Sequence, residues 1–172
     1  MDSNSVCFSS KSDHWQTPQP LFDQLDAEFH FHCDVAADET NSKCGQFLSD
    51  PLNTPWYPDT YFMNPPYSKW GEFIKKAHEE SKRGSIIVCL IPSRTCTKAW
   101  HAYVMQAYEI RLIKKRVRFV SPDPTEKLNS APFPSCVVVF NEGLVQLRKE
   151  LAEKFKFVVD CPKLTTMEVN KS

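Results

Sequence analysis

Glycine is scarce in this chain: only four occur in 172 residues. None stands in a GxxxxGK pattern, so the phosphate loop that needs backbone N–H groups laid bare by glycine is excluded. No GxSxG is present to support a Ser-His-Asp nucleophile. Net charge is missing too, because 21 basic residues balance 21 acidic ones. That excludes a uniformly basic nucleic-acid coat, although a local basic stripe stays open. No apolar run approaches the roughly 20 residues that span a bilayer, and Met1-Asp2-Ser3-Asn4-Ser5 lacks the basic-then-apolar layout of a signal peptide. The seven cysteines form no CxxC pair and are odd in number. Cys89 and Cys136 lie inside apolar runs, so a reduced, cytosolic protein is expected rather than a disulfide framework or zinc site. His30 and His32 lack carboxylate or thiolate neighbours at ligand spacing and read as polar strand positions, so no metal is expected.

What is present suffices for a core. Apolar residues make up 41% of the chain, and a chain of this length buries roughly 70% of its unfolded surface. The expected organisation is a polar leader over 1–13, one domain over 14–160 and a tail over 161–172. Thr17 reads as a helix N-cap and Pro18 as the first helical residue, with Leu21, Phe22, Leu25 and Phe29 at helical spacing. Alternation from Phe29 to Asp34 predicts a strand. Residues 38–58 are turn-rich, with a short strand expected near Gln46–Leu48. Thr60–Met63 predicts a strand. Trp70, Phe73, Ile74 and Ala77 mark a helix face after a possible cap at Ser68, and Gly84 is its expected stop. Ser85–Ile91 is a near-continuous apolar run, as in a strand covered on both faces. A helix over Lys98–Ala107, strands over Glu109–Ile113, Val117–Val120 and Cys136–Phe140, a helix over Gly143–Phe155 and a possible strand at Phe157–Val159 complete the expectation. Strands alternating with helices predict an α/β fold with a mostly parallel sheet. In such sheets ligands bind at the carboxyl ends of the strands, and Asp34 and Asn64 both lie at predicted strand ends.

The stretch with most chemistry is Tyr61-Phe62-Met63-Asn64-Pro65-Pro66-Tyr67. Two prolines fix φ near −65° and remove two donors, while Asn64 before a proline is biased to extended geometry. The expected product is a rigid turn with outward carbonyls beside one amide and one phenol ring. Such a site accepts hydrogen bonds from an amino group and stacks on a flat ring. The bland alternative is an ordinary proline turn closing a strand.

The segment resembles the catalytic motif of the amino-methyltransferases that use S-adenosylmethionine. More of the chain is similar to the small bacteriophage-type DNA N6-adenine methyltransferases. The likeness runs through Trp15-Gln16-Thr17-Pro18, Leu21-Phe22, Asp34-Val35-Ala36-Ala37 and Asn41, then Leu90 to Arg94, Trp100-His101, Arg116 to Phe119 and Ala131 to Ser135, covering roughly 13–141. The resemblance implies a Rossmann-like class I methyltransferase fold, S-adenosyl-L-methionine as cofactor and double-stranded DNA as partner. It implies that Asn64 and the Pro65 carbonyl accept the N–H groups of an adenine amine, with Pro66 completing the turn and Tyr67 stacking on the flipped base. On the cofactor side it implies Thr17 and Pro18 at the methionine end, Asp34 and Ala36 at the first strand end, Asn41 or Asp50 at the ribose or adenine, and Asn64 at the shared wall. The first turn lacks the usual glycines, and a helix-capping role for Asp34 stays open. Lys114, Lys115, Arg116 and Arg118, with Arg94 and Lys98, read either as a phosphate-contacting stripe or as a solvated hairpin turn. Loops 93–101 and 121–135 would carry any base-specific contacts. If the chain is phage-encoded, its compartment is the bacterial host cytoplasm. Two rivals follow: the same chemistry on cytosine N4, an RNA base or protein glutamine, and a non-catalytic DNA-binding protein on a methyltransferase scaffold.

Overall fold

The computed structural model describes residues 15–120, 131–156 and 162–169. Its frame is one seven-stranded sheet in the order β2-β1-β3-β4-β6-β5-β7. The strands are β1 (Cys33–Asp34), β2 (Gln46–Phe47), β3 (Thr60–Met63), β4 (Ile86–Pro92), β5 (Glu109–Ile113), β6 (Ser135–Phe140) and β7 (Lys163–Met167). β2, β1, β3 and β4 run parallel. β6 runs antiparallel to both β4 and β5, and β5 is parallel to β7. The expected α/β class and mostly parallel sheet therefore hold, with one reversed strand inserted near the centre.

Period-two alternation sends each strand's side chains to two cores. Tyr61, Met63, Ile87, Cys89, Ile91, Cys136, Val138 and Phe140 face one core. There they meet Trp70, Phe73, Ile74 and Ala77 of α2 (Trp70–Ser81) and Trp100 of α3 (Lys98–Ala102). Phe62, Val88, Leu90, Val137 and Val139 face the other, against Leu21, Phe22 and Leu25 of α1 (Gln19–Phe29). The last helix, α4 (Glu142–Phe155), buries only Val145 and Ala152 and is capped by the Asn141 side chain. Five described cysteines (Cys33, Cys44, Cys89, Cys96, Cys136) are free. No described helix is long and apolar enough to cross a membrane.

The local differences from expectation have local causes. α1 starts at Gln19 with Pro18, not Thr17, at the cap position, and proline has no side-chain acceptor to cap the helix; Thr17 is buried. The strand expected from Phe29 begins only at Cys33. Asp26 holds a helix stop there: its carbonyl takes the N–H of left-handed His30 and its carboxylate the N–H of Phe31. The stacked rings of Phe29 and Phe31 account for the apolar alternation. α2 is capped at Lys69, not Ser68, and Gly84 sits beyond its end at φ 102°. The helix expected over 98–107 breaks at Tyr103 into α3 and a short 3-10 turn.

Val117–Val120 forms no strand. Both edges of β5 are taken by β6 and β7, so the segment has no free ladder to join. Val117 and Phe119 instead fill the α1-side core, and Val120 makes an isolated bridge to Gln16. The hairpin reading of Lys114–Arg116 fails with it. The segment expected as a tail supplies β7, whose Lys163 ammonium and Thr165 hydroxyl satisfy the buried Glu109 carboxylate at 3.3 and 3.0 Å. Phe157–Val159 and residues 1–13 lie outside the described residues.

Candidate active site at the carboxyl edge

Strand order sets the site before any side chain does. The chain goes from β1 to β2 on one side, then crosses back to β3 on the other. The gap between the carboxyl ends of β1 and β3 is therefore a topological switch point, where open parallel sheets leave a crevice. Asp34 ends β1 and pairs with Phe62, two residues before Asn64. The two residues singled out at strand ends thus flank this gap.

Asn64 leaves β3 with its amide fixed. Nδ2 donates to the Trp15 carbonyl at 3.0 Å, so the other end of the amide is determined as the acceptor end. Oδ1 is buried and has no hydrogen-bond partner. An unsatisfied buried acceptor costs about 1–3 kcal/mol, so its persistence marks a place built for a donor that arrives from outside. The anchor is itself held: Gln16 exchanges backbone hydrogen bonds with Val120 at 2.9 and 3.0 Å. Thr17, buried, and Pro18, half-buried, follow directly in this strap beside Asn64. Pro65 is buried, and the Pro66 carbonyl is not idle as expected, since it accepts the Lys69 N–H at 3.0 Å.

Tyr67 is 7% exposed, and its hydroxyl is buried without a partner. Burial pushes the phenol above its ordinary range, only partly opposed by the Arg94 guanidinium, so it stays protonated. Its ring meets Phe133 at 4.8 Å and Phe119 at 6.0 Å, both edge-to-face. Arg94 lies 5.7 Å from the Phe133 ring. Tyr67, Phe119 and Phe133 thus form an aromatic box. One more buried hydroxyl without a partner, Ser135 Oγ, sits at the start of β6, while Ser93 Oγ, just past the end of β4, has the Cys136 thiol as a hydrogen-bond partner. Pro92 pairs with Ser135, which places both serines on the same sheet edge as Asn64. Asn64 Oδ1, Tyr67 Oη and Ser135 Oγ are thus three described buried polar atoms without partners that share this edge.

Asp34 is 4% exposed. Its oxygens accept the N–H groups of Ala36 at 3.4 Å and Lys43 at 3.2 Å. Burial raises its carboxyl to about 6, with those two hydrogen bonds pulling the other way. Asp34 therefore acts first as the clasp of the 35–43 loop, and the helix-capping alternative is not what the geometry supports. Asn41 Oδ1 accepts the Asp38 N–H at 2.9 Å, and the exposed Asp50 carboxylate holds Asn53 Nδ2 at 2.9 and 3.2 Å. Both are engaged in local turns.

The basic residues separate. Lys114 pairs with Glu168 at 3.0 Å, and Arg116 reaches the Ala131 carbonyl at 3.4 Å. Lys115, Arg118 and Lys98 are exposed, while Arg94 is brought to the aromatic box. Residues 121–130 of the second candidate recognition loop lie outside the described residues. Sequence reading named no role for Trp15, Phe119 or Lys43, and it placed Ser93, Phe133 and Ser135 only within the loops expected to carry base contacts. Phe119 and Phe133 stood in the matching segments, but nothing in their spacing ties them to Tyr67.

Comparison with known proteins matches residues 4–158 to the family model DNA N-6-adenine-methyltransferase (Dam). The chain is 30% identical over 138 residues to a DNA N-6-adenine-methyltransferase of Haemophilus phage HP1, covering 76% of this chain and 80% of that protein. It is 30% identical over 122 residues to a protein of the same description from Escherichia phage T1, covering 68% of this chain. The chain spans about half (48%) of the length of that phage T1 relative.

Proposed function

The chain belongs to the DNA N-6-adenine-methyltransferase (Dam) family, and on that premise we propose that it transfers a methyl group from S-adenosylmethionine directly to the N6 amine of a flipped adenine in DNA. The observation that carries this reading is the buried, partnerless Asn64 Oδ1 beside the Pro65–Pro66 turn. An exocyclic amine offers two N–H donors and a lone pair delocalised into the ring. Two acceptors, Asn64 Oδ1 and the Pro65 carbonyl, draw the nitrogen toward tetrahedral geometry and free that lone pair. The hydrogen bonds strengthen as positive charge builds on nitrogen, so they act on the transition state. At about 1.5–3 kcal/mol each they are worth roughly 10- to 150-fold in rate. Tyr67 stacks on the base once Phe133, the half-buried wall of the aromatic box, gives way. Stacking of about 1–3 kcal/mol offsets part of the few kcal/mol needed to flip the base.

The residues around the switch point fit the cofactor. The 35–43 loop is held on the carboxyl edge by Asp34, and the half-buried Ala36 is small enough for close backbone approach. We assign Thr17, Pro18, Asp34, Ala36 and Asn64 to its contacts, with Asn41 and Asp50 through the turns that they close. When bound, the cofactor supplies a methyl group on a sulfonium, which needs neither metal nor covalent intermediate. Arg94, Lys98, Lys115 and Arg118, with Lys114 and Arg116 behind their present partners, contact phosphates and position the duplex. The compartment that goes with this reading is the cytoplasm, that of the bacterial host if the chain is phage-encoded.

The test is transfer of tritiated methyl groups to DNA, RNA and protein, followed by nucleoside analysis. Label in N6-methyladenine of DNA is expected. Label only in N4-methylcytosine, RNA or protein would move the assignment to another amine, and absence of cofactor binding in calorimetry would leave only a DNA-binding scaffold.

A further inference from the structure

Ser135 opens β6 with a side chain to which the chemistry above gives no task. It is 2% exposed, and its hydroxyl has no hydrogen-bond partner. A hydroxyl shut off from water and left unpaired destabilises the folded chain, and alanine would fill the same space without that cost. Ser93, close by in the sheet, differs. Its hydroxyl meets the Cys136 thiol, which belongs to the α2-side core.

Period two decides which face of the sheet Ser135 shares. Val137 and Val139, at the same parity in β6, lie in the α1-side core, where Tyr67 also sits and against which Phe133 packs. Asn64 rises from the same face. Phe62, two residues before it, is in that core, and its amide reaches Trp15, which packs there too. Asn64 Oδ1 and Ser135 Oγ are therefore buried and unpartnered on one face of the carboxyl edge. The registers Met63↔Cys89, Cys89↔Val138 and Pro92↔Ser135 set the two residues two strands apart, with Ser135 two residues further along. At about 4.8 Å between strands and about 3.3 Å per residue, their Cα atoms lie about 12 Å apart. The gap between β1 and β3 lies on the other side of Asn64. Ser135 thus belongs to the base's half of the site, not the cofactor's.

Two acceptors at Asn64 and Pro65 do not tell adenine from cytosine, because both bases carry an exocyclic amine beside a ring nitrogen. The other flank of the amine differs. Adenine has the acceptor N7 there, whereas cytosine has only a C–H. We propose, on the reading that the substrate is a flipped adenine, that Ser135 is the specificity-determining residue, its hydroxyl donating to N7 of the base whose amine Asn64 holds. Two side chains, two hydrogen bonds and the amine–N7 edge between them fill the span from Asn64 to Ser135. Cytosine in the same place leaves the serine unpaired, and a site built around a hydrogen bond rejects the analogue that lacks it.

The test is a cycle of one protein change and one atom change in the substrate. Wild type and Ser135→Ala are assayed for kcat/KM on a duplex that the wild type methylates, with adenine or 7-deazaadenine at the target position. Either change alone should lower kcat/KM about tenfold. Both together should lower it scarcely further, because each removes the same hydrogen bond. The Ser135→Ala melt should be no lower than that of the wild type. A merely structural serine would instead give losses that multiply, and that result overturns the proposal. So does a wild type indifferent to 7-deazaadenine, a measurement that needs no variant to fold. A wild type that forms no N6-methyladenine in any DNA fails at the earlier step, and the adenine reading falls together with this one.

Discussion

Replacing Asn64 by alanine separates catalysis from stability in a way that the geometry makes quantitative. Two atoms are lost. Nδ2 takes with it a 3.0 Å hydrogen bond to the Trp15 carbonyl, worth about 0.5–1.5 kcal/mol net. Oδ1, buried and unpartnered, takes away a penalty of about 1–3 kcal/mol. The terms oppose one another, so the net change should lie between about 0.5 kcal/mol of destabilisation and about 2.5 kcal/mol of stabilisation. At about 2–4 °C per kcal/mol for a chain of this size, the melting midpoint should fall by no more than about 2 °C and could rise by up to about 10 °C. Turnover should fall roughly 10- to 150-fold from loss of the acceptor alone. S-adenosylmethionine affinity should fall by less than about tenfold, because Asn64 is one cofactor contact among several and Asp34 with the 35–43 loop is untouched.

The assay is single-turnover methyl transfer beside calorimetry of cofactor binding and a thermal melt. Undiminished turnover would refute the acceptor role of Asn64. A melting midpoint lowered by more than about 10 °C would refute the claim that Oδ1 is strained in the free protein, since the lost activity would then be lost folding.

Tyr67→Phe removes another buried orphan hydroxyl while keeping the ring. It should stabilise by about 1 kcal/mol in a thermal melt and retain turnover within a few-fold; a large loss of rate would show that the hydroxyl itself acts on the substrate. Asp34 has a folded pKa raised to about 6 from 3.8. Its protonated form is the one that folding favours, so its stability contribution is full below about pH 3.8 and is lost as pH rises through 6. The difference in unfolding free energy between wild type and Asp34→Asn should change by roughly 3 kcal/mol between pH 4 and 7, and a flat difference would contradict the burial argument. Among the basic residues, Lys114 already faces Glu168 whereas Arg118 is exposed. Arg118→Ala should lower the slope of log affinity for DNA against log salt by about 0.9, and Lys114→Ala by clearly less. Equal slopes would mean that the Lys114–Glu168 pair opens on DNA.

Local chemistry by itself determined a good part of this protein. Thr60–Met63, the doubly covered run ending near Pro92 and the helix from Trp70 were legible because burial on both faces, or on one helical stripe, writes a short period into consecutive residues. Asn64-Pro65-Pro66-Tyr67 was legible because two prolines fix the backbone whatever surrounds them. What only the tertiary structure decided were the pairings between distant segments. The reversal of β6, the recruitment of 163–167 as β7 and the loss of a strand at 117–120 all depend on which sheet edges were free. Asn64 needed Trp15, forty-nine residues earlier, to settle which end of its amide faces outward. Tyr67 needed Phe119 and Phe133 to close a box around it. Such contacts have no period, because the folded sheet alone sets the distance between their members.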